Sequence, residues 1–130
     1  MNVIPFLGYE DLRAALDWLA GAFGFEESAV HEGENGQIVH AEMRFGDGMV
    51  MLGQPGRSFG MKPAKELGAV NQGVYSIVDD GIDAHYERAV AAGAEVVMEL
   101  HDTDYGSREY MVRDPDGNLW SFGTYRPEQR

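Results

Sequence analysis

The chain has 130 residues, no cysteine, and a formal net charge of −12 from 10 basic and 22 acidic residues. That length suits one domain with a real core. The missing cysteine excludes disulfides, thiolate nucleophiles and cysteine-ligated zinc and fits a cytoplasmic location, while so acidic a surface repels nucleic-acid phosphates.

No apolar run reaches the ~20 residues of a bilayer span, so no membrane partner is expected. Residues 1–7 carry neither a basic stretch nor a long apolar core, so no secretory leader is expected either. A β-like run at residues 3–7 is followed by Leu12, Ala15, Leu16, Leu19 and Phe23 at helical spacing. Glu10 or Asp11 can cap this helix, and Gly24 can end it in the left-handed conformation. Strand candidates follow near residues 26–31, 37–45 and 49–53, the last two joined by a tight turn at 45–48. Residues 54–70 hold both lysines, Lys62 and Lys65, with Arg57, Pro55 and Pro63, and read as a linker or mobile loop. A strand at 73–78 then precedes a second helix with the stripe Ile82, Tyr86, Ala89 and Val90, capped by Asp79 or Asp80 and ended by Gly93. Strands near 95–100, 107–112 and 118–125 close the chain, with Asp114-Pro115-Asp116-Gly117 suited to a type I turn.

The second half repeats the first. Shifted by 69 positions, Arg44-Phe45-Gly46-Asp47-Gly48 falls on Arg113-Asp114-Pro115-Asp116-Gly117, Asp11 on Asp80 and Gly24 on Gly93. Each half is therefore βαβββ: units at about 1–53 and 71–125 within a single domain 1–130. A helix must bury its stripe against its own sheet, which leaves the other sheet face free. The fold expected is α+β, two tandem βαβββ units forming a cupped mixed sheet with helices on the outer face. The free faces would hold a small-molecule ligand.

His40, Glu42 and Arg44 alternate on one strand and share the face opposite Val39, Ala41, Met43 and Phe45. They form either a polar recognition cluster, an acid–base pair with Glu42 as base, or a solvated strand face. Their repeat mates are Glu109, Met111 and Arg113, so Met111 makes one side of the cup apolar. Tyr75 shares the face of Gly73, Ser121 lies opposite, and Tyr105 and Phe59 sit in loops able to fold over the mouth. Trp120 and Phe122 should face the helices. His31, His85 and His101 show no ligand spacing; His85 is expected to be exposed, and Asp114 and Asp116 to serve the turn.

The duplication, with Arg113-Asp114-Pro115-Asp116-Gly117-Asn118-Leu119-Trp120-Ser121-Phe122 as its closing turn and last strand, resembles the vicinal oxygen chelate superfamily of glyoxalases, dioxygenases and bleomycin resistance proteins. The resemblance places the family's metal ligands at Ile4 and Gly73 on the first strands and at Leu52 and Ser121 on the last. None of these is His, Asp or Glu, so no metal and no cofactor is expected. It implies kinship with the metal-free bleomycin-resistance type: a homodimer sequestering a cationic or aromatic compound, such as an antibiotic, on His40, Glu42, Leu52, Phe59, Tyr75, Tyr105, Met111 and Ser121. The alternative is a glyoxalase-like lyase or isomerase, or a dioxygenase-related enzyme, using His40 and Glu42 with or without a divalent metal.

Overall fold

The computed structural model describes residues 2–54 and 60–127. The first half runs β1 (Phe6–Gly8), α1 (Leu12–Phe23), β2 (Glu26–Glu32), β3 (Ile38–Phe45) and β4 (Gly48–Gly53). A short α2 (Ala64–Leu67) occupies the linker, where a loop was expected. The second half runs β5 (Gly73–Ile77), α3 (Ile82–Ala91), β6 (Glu95–Asp102), β7 (Arg108–Arg113) and β8 (Leu119–Gly123). The strands form two four-stranded sheets, ordered β1-β4-β3-β2 and β5-β8-β7-β6. The outer pairs β1–β4 and β5–β8 are parallel and the rest antiparallel, so both sheets are mixed. The fold is α+β, two repeated units whose sheets are cupped rather than closed. Among the described residues no helix is long and apolar enough to cross a membrane.

Local chemistry explains the first helix. Asp11 accepts a bond from the Ala14 amide at 3.0 Å, and Gly24 ends α1 at φ 83°. The five-residue stripe is buried. The second helix differs from expectation. Neither Asp79 nor Asp80 caps it: left-handed Gly81 occupies the position before Ile82, and Asp79 instead pairs with Arg126 at 2.9 Å. Only Ile82 and Ala89 of its stripe are buried, while Val90, one residue further round the helix, is exposed.

The helix-side faces of both sheets share one core. Phe23 of α1 lies 4.6 Å from Phe122 and 5.3 Å from Trp120, ring to ring, and both β8 aromatics are buried as expected. The last carbonyls of a helix lack intrahelical partners, and here each helix supplies the other's. Trp18 Nε1 donates to Ala92 O at 2.9 Å; Arg88 donates to Gly21 O at 2.7 Å and Ala20 O at 2.9 Å. His85 belongs to the same junction, which corrects its expected exposure. Its Nε2 donates to Phe23 O at 2.7 Å, so Nδ1 is left to accept from Tyr110 Oη at 2.6 Å. Burial lowers the His85 pKa below its ordinary value.

Asp114 forms a second junction. Its Oδ2 accepts from Tyr9 Oη at 2.7 Å and Trp120 Nε1 at 2.9 Å, and its Oδ1 from the Asp116 and Asn118 amides at 3.1 and 2.9 Å. It is a turn residue, as expected, but its buried carboxylate also ties β8 to the first half through Tyr9. Burial pushes its pKa up, against the pull of those donors.

The two hairpins differ by one residue, which decides which side chains reach the free faces. Phe45 pairs with Gly48 around two loop residues, the first being Gly46 at φ 58°, as a type II′ turn requires. In the second half the Asp114 amide bonds Asn118 O at 3.0 Å and Gly117 sits at φ 89°, a three-residue loop built on a type I turn with a left-handed glycine. The repeat therefore slips by one beyond the turn: Arg44 pairs with Met49, but Arg113 with Leu119. A one-residue slip exchanges the faces of a strand. Met51, not Leu52, is the counterpart of Ser121. Leu52 lies fully buried on the helix side opposite Ala41, so its expected place in the cup is corrected.

Candidate functional site

The free faces of the two sheets carry matching constellations. In the first half, β1 and β4 place Phe6 beside Met51, and β3 places Glu42 beside Met51 and His40 beside Gly53. In the second, Tyr75 and Met111 flank Ser121, and Glu109 lies beside Gly123. Phe6 thus answers Tyr75, His40 answers Glu109, Glu42 answers Met111, and glycine answers glycine. The glycines leave room for the aromatic of the first strand. A Cβ at Gly53 would stand 2.7 Å from Phe6 Cζ, and one at Gly123 would stand 2.7 Å from both Tyr75 Oη and Glu109 Cγ.

In the first half, His40 Nε2 donates to Glu42 Oε2 at 3.0 Å, and the His31 ring stands 5.6 Å from the His40 ring. Arg44 points to Glu26 at 2.7 Å on the neighbouring strand, so the polar trio resolves into a pair and a separate surface bridge. In the second half the groups are more tightly tied. Tyr105 Oη donates to Glu109 Oε1 at 2.8 Å, and Ser107 Oγ to Glu109 Oε2 at 2.9 Å. Tyr75 Oη donates to Tyr125 O at 2.7 Å, and the Tyr105 and Tyr125 rings meet edge to face at 5.7 Å. Met98, His101, Tyr105, Glu109, Met111 and Ser121 line a cavity of about 470 Å³. Burial, followed by the charge of Glu109, raises the Tyr75 pKa; the bond to Glu109 raises that of Tyr105. Both phenols therefore stay protonated donors at neutral pH.

Of the residues singled out in the sequence, Tyr105, Met111 and Ser121 meet in this cavity with Tyr75 beside them, and His40 and Glu42 meet on the other sheet. Phe59 lies outside the described residues. No hydrogen bond, ion pair or ring contact joins the two sets among the described residues. Glu109 is the central residue that sequence reasoning left out of the site. Its signal was present: it is the repeat mate of His40 and alternates with Met111.

The positions where the resemblance would seat a metal do not suit one. Ile4, Gly73, Leu52 and Ser121 offer no imidazole or carboxylate, and neither does Met51, which the observed register puts in the place expected for Leu52. His40 and Glu42 supply two donors, and among the described residues no group of three or more His, Cys, Asp or Glu is gathered to hold a metal ion.

Three comparisons bear on the chain. A family model described as the Glyoxalase/Bleomycin resistance protein/Dioxygenase superfamily matches residues 5–122. An uncharacterized protein of Mycobacterium bovis is 35% identical over 125 residues, 92% of this chain and 80% of that one. Among solved structures, TioX from Micromonospora sp. ML1 superposes with a TM-score of 0.76 at 33% identity, covering 100% of both chains. TnmS3, an antibiotic binding protein from Streptomyces sp. CB03234, shares the fold with a TM-score of 0.70 at 21% identity over 94% of each chain.

Proposed function

The chain belongs to the glyoxalase/bleomycin resistance protein/dioxygenase superfamily, and we propose that within it the chain is a metal-free small-molecule binding protein that sequesters a cationic or aromatic compound without transforming it. One observation carries this reading. The strand positions where a metal enzyme of this fold gathers imidazoles and carboxylates hold Ile4, Gly73, Met51 and Ser121 here, with Phe6 and Tyr75 beside the last two. Aromatic, thioether and hydroxyl groups bind by contact and by single hydrogen bonds. The fold shared with TnmS3, whose description is an antibiotic binding protein, agrees with a binding role for this architecture. An overall charge of −12 would speed the capture of a cation.

The same reading includes a homodimer. The helix-side core is already filled within one chain, and each free face carries half of a cup. A second copy that sets its first-half face against this chain's second-half face would enclose a ligand between His40 and Glu42 on one side and Tyr75, Met111 and Ser121 on the other. Light scattering on the purified protein tests this directly; a monomer at micromolar concentration would contradict it.

A thermal-shift screen with cationic antibiotics and aromatic metabolites tests the function itself. A ligand of the native state raises the melting temperature once it exceeds its dissociation constant. A flat response to every compound would count against binding. A second reading has one observation in its favour: His40 and Glu42, bonded at 3.0 Å, have the residue types and spacing of an acid–base pair for a lyase or isomerase. Turnover of an α-carbonyl substrate that is lost in Glu42→Gln would favour it over sequestration.

A further inference from the structure

We propose that Glu109 is the anchor of the ligand and that the ligand carries a protonated amine on a flat aromatic body. This rests on the binding reading above and narrows it to one cavity and one anchoring carboxylate, the other carboxylates of the lining being Asp102, paired with Arg108 at 3.1 Å, and Asp104. The carboxylate is held from both sides: Tyr105 Oη at 2.8 Å fixes Oε1 and Ser107 Oγ at 2.9 Å fixes Oε2. Each carboxylate oxygen has a second acceptor site, so the group is oriented without being used up. No Lys or Arg lines its cavity, and no ion pair engages Glu109 among the described residues. Arg108, its neighbour in sequence, is engaged instead by Asp83 and Asp102 at 2.9 and 3.1 Å.

The walls around this acceptor suit the rest of such a ligand. Tyr105, 63% exposed, and Tyr125, 47% exposed, stand edge to face at the rim, and aromatic faces attract both cations and planar rings. Met98 and Met111 supply polarizable, adaptable surface for an apolar body of variable shape. An anion would face Glu109 with no Lys or Arg in the lining to offset it; the lining's imidazole, His101, donates its Nδ1–H to Glu99 O at 2.7 Å. A neutral alcohol would gain one ordinary hydrogen bond where an ammonium gains a charge-assisted one.

The test uses three probes with one ring system and three charges: 2-naphthylmethylamine, 2-naphthylmethanol and 2-naphthoate. Each is titrated into the full-length protein and followed by ¹H–¹⁵N NMR and calorimetry at pH 7. The amine is expected to bind about tenfold or more tightly than the alcohol, the naphthoate weakest of all, with shifts centred on the Tyr105, Glu109 and Met111 amides. Glu109→Gln should bring the amine down to the affinity of the alcohol; Glu87→Gln, exposed on the outer helix α3, should leave the preference intact. Tyr105→Phe keeps the ring and removes one of the two hydroxyls that orient the carboxylate. It should lower amine affinity severalfold, and it keeps the test open if Glu109→Gln does not fold. Equal binding of the amine and alcohol, or a preference for the amine that survives Glu109→Gln, would overturn the cation anchor while leaving small-molecule binding standing. No binding of any of the three would sink both.

Discussion

Replacing Asp114 by Ala tests whether the two halves are stapled by the polar junction under β8. The substitution removes the acceptor from four donors. The Asp116 and Asn118 amides sit in a turn and can bond to water. The other two donors cannot: the Tyr9 and Trp120 side chains are 1% and 0% exposed. A buried donor left without a partner costs about 1–3 kcal/mol, so the two together cost about 2–6 kcal/mol. A chain of this size loses about 3–4 °C of melting temperature per kcal/mol, which puts the fall at about 6–24 °C. Asp114→Asn keeps the shape and one acceptor and should fall in between; Tyr9→Phe removes one donor together with its need for an acceptor and should cost least. Thermal unfolding followed by circular dichroism measures all three. A drop below about 3 °C for Asp114→Ala would mean that the relaxed site recovers its bonds and that the junction contributes little.

Three further predictions follow from the core. His85 is neutral in the folded state, with a pKa below the ordinary 6.5, so the unfolded chain binds the proton first as the pH falls. Its contribution to stability is complete above pH 6.5 and is lost as pH drops from there toward the lowered folded value, with a slope of at most about 1.4 kcal/mol per unit. Urea midpoints of wild type and His85→Gln between pH 8 and 5 should converge on the acid side; parallel curves would refute the assignment. Leu52→Ala should cost about 2–5 kcal/mol and Met51→Ala under about 1 kcal/mol, because only the former opens the core; the reverse order, by chemical denaturation, would restore the gapless repeat. Gly117→Ala should cost about 1–3 kcal/mol. Its φ is 89°, and the new Cβ would lie 3.1 Å from the Lys65 amide of α2. An unchanged melting temperature would show that the turn adapts.

Much of this architecture was legible because the repeat writes it twice. The stripe of α1, Gly24, the Asp-Pro-Asp-Gly turn and the inward face of Trp120 and Phe122 all follow from local periodicity and backbone preference. The failures share a cause: each depends on something local pattern does not carry. One extra residue in the β7–β8 loop shifts the repeat by one beyond the turn, so that Met51 is the mate of Ser121 and Leu52, which the gapless shift matched to it, belongs to the core. Gly81 displaced Asp79 and Asp80 from capping because the chain turns sharply before α3. His85 looked like a surface residue on an acidic helix, and only the packing of α3 on α1 reveals Phe23 O and Tyr110 Oη as its partners. Glu109 was named as a repeat mate but passed over, since a carboxylate becomes an anchor only once Tyr105 and Ser107 are seen to hold it.

The central claim is that the cup binds its ligand without a metal. Native mass spectrometry tests it most directly, on protein incubated in turn with zinc, nickel, manganese and iron and then desalted. The mass expected is that of the metal-free chain, as monomer or dimer, after every incubation. Retention of any one of these ions at one per chain would contradict the claim and return the chain to the metal enzymes of its superfamily.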